Sequence, residues 1–328
     1  MSLTHNKGLA SYTFVSQNDI GPFNTNPSLL PDISVEESTQ GIMTVLSKLC
    51  EEDNGTFLDW LEAEAAGPEE MAKANDFSVF SVLVTGSDRG IGLGLVKRFL
   101  ELPSPPEWVF ATTLDLEGEE TKELREMACK YPNLVVLQLD VTKLESIQAA
   151  LKEVQKCVGE GGLTILYNNA GIWAFNDLQT ENAKDMMRVY SVNTIGPLLM
   201  SQAFLPLLKM AARRSPCQGL SSSKAAVINM SNIASSIELM AYWDQYQVIG
   251  YRCAKVALNM LTKCQSLEYP ADGIMTVAIH PGIVKTARNP IPEISVEEST
   301  EGIMTVLSKL CEEDNGTFLD YLGHRLPW

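Results

Sequence analysis

A doubly wound α/β fold, with seven parallel strands in one sheet and helices on both faces, is what this 328-residue chain predicts. Three observations carry that expectation. From Ser78 onward, short Val/Ile/Leu-rich runs alternate with amphipathic stretches of helical period. The apolar runs are continuous rather than alternating, as strands buried on both faces require. A glycine-rich turn separates the first run from the first amphipathic stretch.

Taken in order, VFSVLVTG reads as the first strand and LGLVKRFLEL as its crossover helix, with leucines and valine recurring on one face. EWVFATT and LVVLQLD are the next strands, separated by the amphipathic KELREMACK. LESIQAALKEVQKCV is the third helix and leads into the strand LTILYNN. AAVINMS, the helix YRCAKVALNMLTKCQSL and MTVAIHP follow. A last helix over about 296–311 and an edge strand over 316–321 close the series. Residues 1–76 lack this rhythm and read as an irregular extension, expected to be largely mobile, ahead of one α/β domain over 77–328.

That extension contains a repeat. Residues 33–61 match residues 294–322 except for Gln40 against Glu301 and Trp60 against Tyr321. The front copy is thus a duplicate of the segment expected to form the last helix and edge strand. Away from its sheet it could not bury its apolar side alone.

Composition narrows the function classes. A net charge of −16 argues against nucleic acid or an anionic membrane as partner. Seven cysteines without a CxxC pair argue against a disulfide framework or a zinc site. Only three histidines occur, scattered at 5, 280 and 324, so no metal site is expected. The N-terminus lacks a signal-peptide pattern, and no apolar run reaches the length of a membrane span. The expectation is a cytoplasmic protein acting on a small molecule.

Chemistry enters at VLVTGSDRGIGLG. A strand ends at Thr85, Gly86 opens a tight turn, and Gly90 and Gly92 lead into a helix. Glycines let backbone amides approach a pyrophosphate, and the helix N-terminus adds partial positive charge. Further on, Tyr251 and Lys255 stand four residues apart on an amphipathic helix and so share a face. A nearby ammonium stabilises a phenolate, which is expected to lower the pKa of Tyr251 and make it a usable proton donor.

TGSDRGIG, LDVT at 139–142, NNAG at 168–171, VNTIGP at 192–197, YRCAK at 251–255 and HPGIVKT at 280–286 occur in an order and spacing that resemble the short-chain dehydrogenase/reductase (SDR) family. QAFLPLL at 202–208, ALNMLTKC at 257–264 and the final LPW look like its C-factor-like carbonyl reductases. The resemblance covers residues 77–328 and implies a Rossmann fold and NAD(P)(H)-dependent reduction of an aldehyde or ketone. It implies that Gly86, Arg89, Gly90, Ile91 and Gly92 line the pyrophosphate and adenosine ribose. Asp140 and Val141 would contact adenine; Asn168, Ala170 and Gly171 would lie along the cofactor. Pro281, Gly282 and Thr286 would hold the nicotinamide end. Tyr251, Lys255 and Asn193 would form the catalytic relay, Lys255 also holding the nicotinamide ribose. Members of the family are often homodimers or homotetramers.

The chain departs from the family pattern where a second serine usually follows the fifth strand: VINMSNIASSI has Ser231 and then Asn232. An amide can donate to a carbonyl oxygen but cannot act as a hydroxyl. Ser235 or Ser236 would substitute if the next loop folded back. The alternative reading is a cofactor-binding signalling or regulatory protein with little turnover. Arg89, and a neutral Thr113 where an acidic residue would favour NAD, point to NADP(H), with NAD(H) as the alternative. AYWDQYQVIGY, over 241–251, is expected to wall the substrate pocket. Cys253 is expected to be a small buried residue, His280 to pack beside the Pro-Gly turn, Met186 and Met187 to be helix core, and Arg213–Arg214 to sit in a solvated loop.

Overall fold

The computed structural model describes residues 77–285 and 293–328. The extension, its duplicate segment and Thr286 therefore lie outside the described residues. Seven parallel strands form one sheet: β1 (Ser81–Val84), β2 (Trp108–Thr113), β3 (Leu134–Gln138), β4 (Ile165–Asn168), β5 (Ala226–Met230), β6 (Met275–His280) and β7 (Phe318–Asp320). Their spatial order is β3-β2-β1-β4-β5-β6-β7. The chain winds outward from β1 to β3, then returns to place β4 on the other side of β1. That reversal opens a crevice at the carboxyl ends of β1 and β4, where doubly wound sheets bind ligands.

Two apolar layers hold the helices. On one face Val96 and Phe99 of α1 (Gly90–Leu100), Leu124 of α2 (Lys122–Ala128) and Ile303 and Leu307 of α7 (Val296–Lys309) pack on Val82, Ile165 and Ile228. On the other, Ile147 and Val154 of α3 (Leu144–Val158) and Met200, Phe204 and Leu208 of α5 (Gly196–Arg214) pack on Leu83, Leu166 and Val227. Fully buried side chains of this size contribute about 1.5–3 kcal/mol each. α6 (Ile249–Glu268) lies on this second face but turns a polar stripe inward: Lys255, Asn259, Thr262 and Gln265 are all buried.

Between α4 (Ala183–Tyr190) and α5 the helix widens into a π turn over Ser191–Ile195. The helical run Ala183–Arg214 is long and apolar enough by length and composition to cross a membrane, yet half of its most apolar window is buried within the fold. The sequence did not announce this run beyond QAFLPLL, because Ser, Asn, Thr, Gly and Pro over 191–197 mask its period. Arg213 and Arg214 form its exposed last turn rather than a loop.

Two other expectations fail. Met187 is 68% exposed and only Met186 is half-buried, because α4 buries Val189 and turns Met187 outward. Cys253 is exposed, since it lies on the face of α6 opposite Lys255 and Asn259. His280 is buried beside Pro281 as expected.

Candidate active site

The strand-to-helix turn after β1 is shaped for a phosphate group. Gly86 and Gly90 adopt positive φ, 64° and 56°. A Cβ on Gly92 would stand 2.2 Å from the carbonyl oxygen of Gly86 and 2.6 Å from Asn169 Nδ2. Asn169 Nδ2 donates to the carbonyls of Thr85 (2.8 Å) and Gly86 (2.9 Å), which turns those oxygens away from the turn's mouth. No acidic residue occupies the first turn of α1, so its unpaired N–H groups face outward without competition. A cradle that only glycine fits, at a helix N-terminus, suits a dinucleotide pyrophosphate.

Asp140 and Val141 follow β3, with Asp140 partly exposed and Val141 buried. Burial raises the Asp140 pKa, but hydrogen bonds from Thr142 and the Lys143 ammonium outweigh it and hold the carboxyl below its ordinary value. Ala170 and Gly171 lie along the crevice, Ala170 Cα 3.1 Å from where a Gly86 Cβ would be. Asn168 has its side chain committed to the sheet: its Nδ2 donates to Asn229 Oδ1 at 2.9 Å. What Asn168 can offer a ligand is backbone. Asn169, not singled out in the sequence, is the member of the pair that shapes the turn.

At the start of α1, Arg89 occupies the N-cap position and forms an ion pair with Glu120. Thr113 is buried and meets Thr121 Oγ1 at 3.1 Å. Asp115 is exposed and uses one oxygen to accept from Glu117 N.

The reacting end is gathered around Gly171. A Cβ there would stand 3.2 Å from Asn193 Oδ1 and 3.9 Å from Lys255 Nζ. Asn193 sits in the π turn and clasps Ile172, accepting from its N–H (2.9 Å) and donating to its carbonyl (2.7 Å). Lys255 is 3% exposed, and its Nζ donates to the Met230 carbonyl at 2.5 Å. Burial pulls its pKa down to about 7. Burial, together with neighbouring Tyr246, pushes Tyr251 above the ordinary phenol value. This corrects the expectation that Lys255 lowers Tyr251: both groups are desolvated, and the ammonium is turned toward Met230.

Asn232 begins the turn after β5. Its Oδ1 accepts from Ala234 N at 2.9 Å, which leaves the amide NH2 as the available donor. Ser235 and Ser236 do not replace it. Ser235 donates to the Asn232 carbonyl (2.6 Å) and accepts from Asn259 Nδ2 (2.7 Å), while Ser236 turns toward the Trp328 carbonyl. Ser231 donates to Asn259 Oδ1 at 2.6 Å. Asn259 thus ties α6 to the Asn232 turn.

Gly171, Ile172, Ser231, Asn232, Tyr251 and Lys255 border one cleft of about 220 Å³, walled by Trp173, Tyr242, Tyr246 and Val248 and floored by Pro281, Gly282 and Val284. Trp173 meets Tyr251 and Tyr246 with ring centres 6.0 and 6.4 Å apart. Beyond the cleft, Lys285 N donates to the Ile294 carbonyl and Glu293 N to that of Ile283, both at 2.8 Å. Gly282 takes φ 82° with Ile294 pressed against it. Among the described residues no cluster of His, Cys, Asp and Glu could hold a metal ion.

A Rossmann-type sheet with a phosphate cradle and a Tyr–Lys–Asn cluster at its switch point defines a dinucleotide-dependent oxidoreductase. The chain belongs to the short chain dehydrogenase family, whose model matches residues 81–291. Among solved structures it is similar to an NADPH-bound carbonyl reductase from chicken fatty liver, 50% identical, covering 76% of this chain and 99% of that one, with a TM-score of 0.74. It is also similar to the carbonyl reductase Sniffer of D. melanogaster (36% identity, 76% and 100% covered, TM-score 0.73). The C-signal protein of Myxococcus xanthus is 32% identical over 51% of this chain and 94% of its own length. Family membership makes this an NAD(P)-dependent oxidoreductase.

Proposed function

We propose that this protein reduces an aldehyde or ketone to the alcohol, with NADP(H) as its preferred cofactor. The observation that carries the reading is that Tyr251, the buried Lys255 and Asn232 line one cleft together with Ile91 and Asn169 of the glycine turn. Gly86, Gly90, Ile91 and Gly92 would hold the pyrophosphate, Asp140 and Val141 the adenine, and Lys255, Pro281 and Gly282 the nicotinamide end. When bound, the nicotinamide would supply a hydride to the carbonyl carbon.

The chain's own groups manage the oxygen and its proton. Tyr251 donates its hydroxyl proton to the oxygen that becomes the alcohol. Asn232, its carbonyl already occupied by Ala234 N, turns NH2 donors to that oxygen as charge develops there. Lys255, with a pKa near 7, exchanges a proton readily at neutral pH and supports reprotonation of the phenol. Asn193 fixes the backbone of Ile172, which lines the cleft. Among the described residues Lys255 is the one ionisable residue on the cleft besides the phenols, which favours a neutral, aromatic or otherwise apolar substrate. Arg89 supports NADP(H), because a 2′-phosphate could replace Glu120 as its partner.

A second reading has one observation behind it: Asn232 in place of serine, together with the likeness to C-signal, favours a cofactor-binding signalling protein with weak turnover. A screen of aldehydes and ketones with NADPH and with NADH, run beside Tyr251→Phe, decides between them. NADPH oxidation that disappears in the variant supports the reductase. NADPH binding with no reduction of any carbonyl supports the second reading.

A further inference from the structure

Arg252, between the tyrosine and lysine of the catalytic helix, has no role in the chemistry above. It is nevertheless 5% exposed, and among the described residues it meets no carboxylate. A buried guanidinium normally faces an anion, because its desolvation is costly. Here all its hydrogen bonds go to backbone carbonyls of the segment after β5. Nε donates to Gln247 (2.7 Å), Nη1 to Ala234 (3.3 Å), and Nη2 to Ala241 (2.7 Å) and Tyr246 (3.3 Å). The guanidinium also lies 5.6 Å from the ring centre of Trp243.

The segment so held is strained. Met240, Tyr242 and Val248 adopt positive φ, 43°, 57° and 41°, and none is glycine. Val248, β-branched, sits left-handed directly before α6. Such backbone persists only where its surroundings over-determine it, and here the rigid fork of Arg252 supplies that determination. The same segment presents Tyr242 and Tyr246 to the cleft, with rings 6.2 Å apart and nearly parallel. Its start, through Ala234, is the turn that Asn232 caps by accepting from Ala234 N.

We infer that Arg252 is the positioning residue that sets substrate specificity: from the helix carrying Tyr251, it holds the strained 234–248 segment so that Tyr242 and Tyr246 form a fixed aromatic wall opposite the proton donor. The inference rests on the carbonyl-reductase reading for its substrate consequence, while its structural half stands apart from turnover. Lysine cannot replace the fork, since one ammonium cannot reach four diverging carbonyls in a plane.

The test uses the full-length chain with NADPH bound, comparing wild type, Arg252→Lys and Arg252→Gln. Amide hydrogen exchange over 241–248 should speed up by about tenfold or more in both variants while β5 and β6 exchange as in wild type. KM for a bulky aromatic ketone should rise about tenfold, with kcat for a short aliphatic aldehyde and NADPH affinity little changed. Unchanged exchange over 241–248, or acceleration spread equally over β5 and β6, overturns the inference. So does an equal loss of kcat/KM for both substrates. If wild type oxidises NADPH with no carbonyl, the reductase reading falls alone, and the exchange comparison still decides the role of Arg252. Should Arg252→Gln fail to fold, Arg252→Lys, which keeps charge and bulk, carries the comparison.

Discussion

The ammonium of Lys255 lies 5.7 Å from the ring centre of Tyr251, one turn further along α6, and donates to the carbonyl of Met230 rather than to the phenol. The two side chains therefore have separable duties. Tyr251→Phe should lower carbonyl reduction by about 10²–10⁴ and leave NADPH binding intact. Lys255→Met should lose both, because under the proposed function Lys255 also holds the nicotinamide end. Fluorescence titration beside steady-state kinetics distinguishes them; a Tyr251→Phe enzyme with near-normal turnover would remove the phenol from the mechanism.

Asn232 is the donor that departs from the family pattern. Asn232→Ala should reduce kcat by about 10²–10³, the cost of one well-placed donor to a developing oxyanion. Asn232→Ser should retain much of the activity, since serine also donates and also caps the following turn. Asn259→Ala should lower kcat in the same direction but less, by loosening the Ser231–Asn259–Ser235 link beneath that turn. Equal rates for wild type and Asn232→Ala would show that the amide is a bystander.

Arg89 is paired with Glu120 on the surface, where such pairs contribute little to stability. Arg89→Ala should weaken NADPH by about tenfold while changing NADH little, because a charge-assisted contact to the 2′-phosphate is lost. Glu120→Ala should tighten NADPH by freeing the guanidinium. Dissociation constants for both dinucleotides check this, and an unchanged NADPH-to-NADH ratio in both variants counts against NADP(H) preference.

Gly92 has no room for a side chain. Gly92→Ala would press a methyl group into the Gly86 carbonyl, and overpacking of this kind costs about 1–3 kcal/mol. Thermal unfolding should shift downward and dinucleotide binding should be lost, because the turn and the phosphate cradle are the same atoms. Wild-type affinity in this variant would place the pyrophosphate elsewhere.

His280 supplies a pH dependence. Burial pulls its pKa from 6.5 to about 4. Between those values the unfolded chain holds a proton that the folded one does not, so stability falls as pH drops from 6.5 toward 4. A shift of that size is worth about 3 kcal/mol. Denaturant unfolding of wild type and His280→Gln across this range should show a shallower acid decline in the variant. Parallel curves would mean that the imidazole titrates normally.

The sheet was legible because most of its strands are rich in apolar residues on both faces, and the family motifs fall at the ends of β1, β3, β4 and β6. The Tyr251–Lys255 pair was legible because helical spacing alone puts it on one face. Other features were hidden for physical reasons. The inward polar stripe of α6 is invisible to hydrophobic periodicity, so Arg252 and Asn259 carried no signal. Asn168 and Asn169 are identical in sequence, and only the alternation of strand side chains decides that one enters the sheet while the other closes the glycine turn. The pKa order of Tyr251 and Lys255 depends on desolvation, which spacing does not report.

Ile283–Lys285 and Glu293–Ile294 are joined as a parallel bridge just past the cleft. Two anchored ends fix where any intervening stretch must leave and re-enter the body of the protein. Such a hem lets the span between be lengthened, shortened or rewritten with little disturbance to β6 or α7, since closure entropy grows only slowly with length.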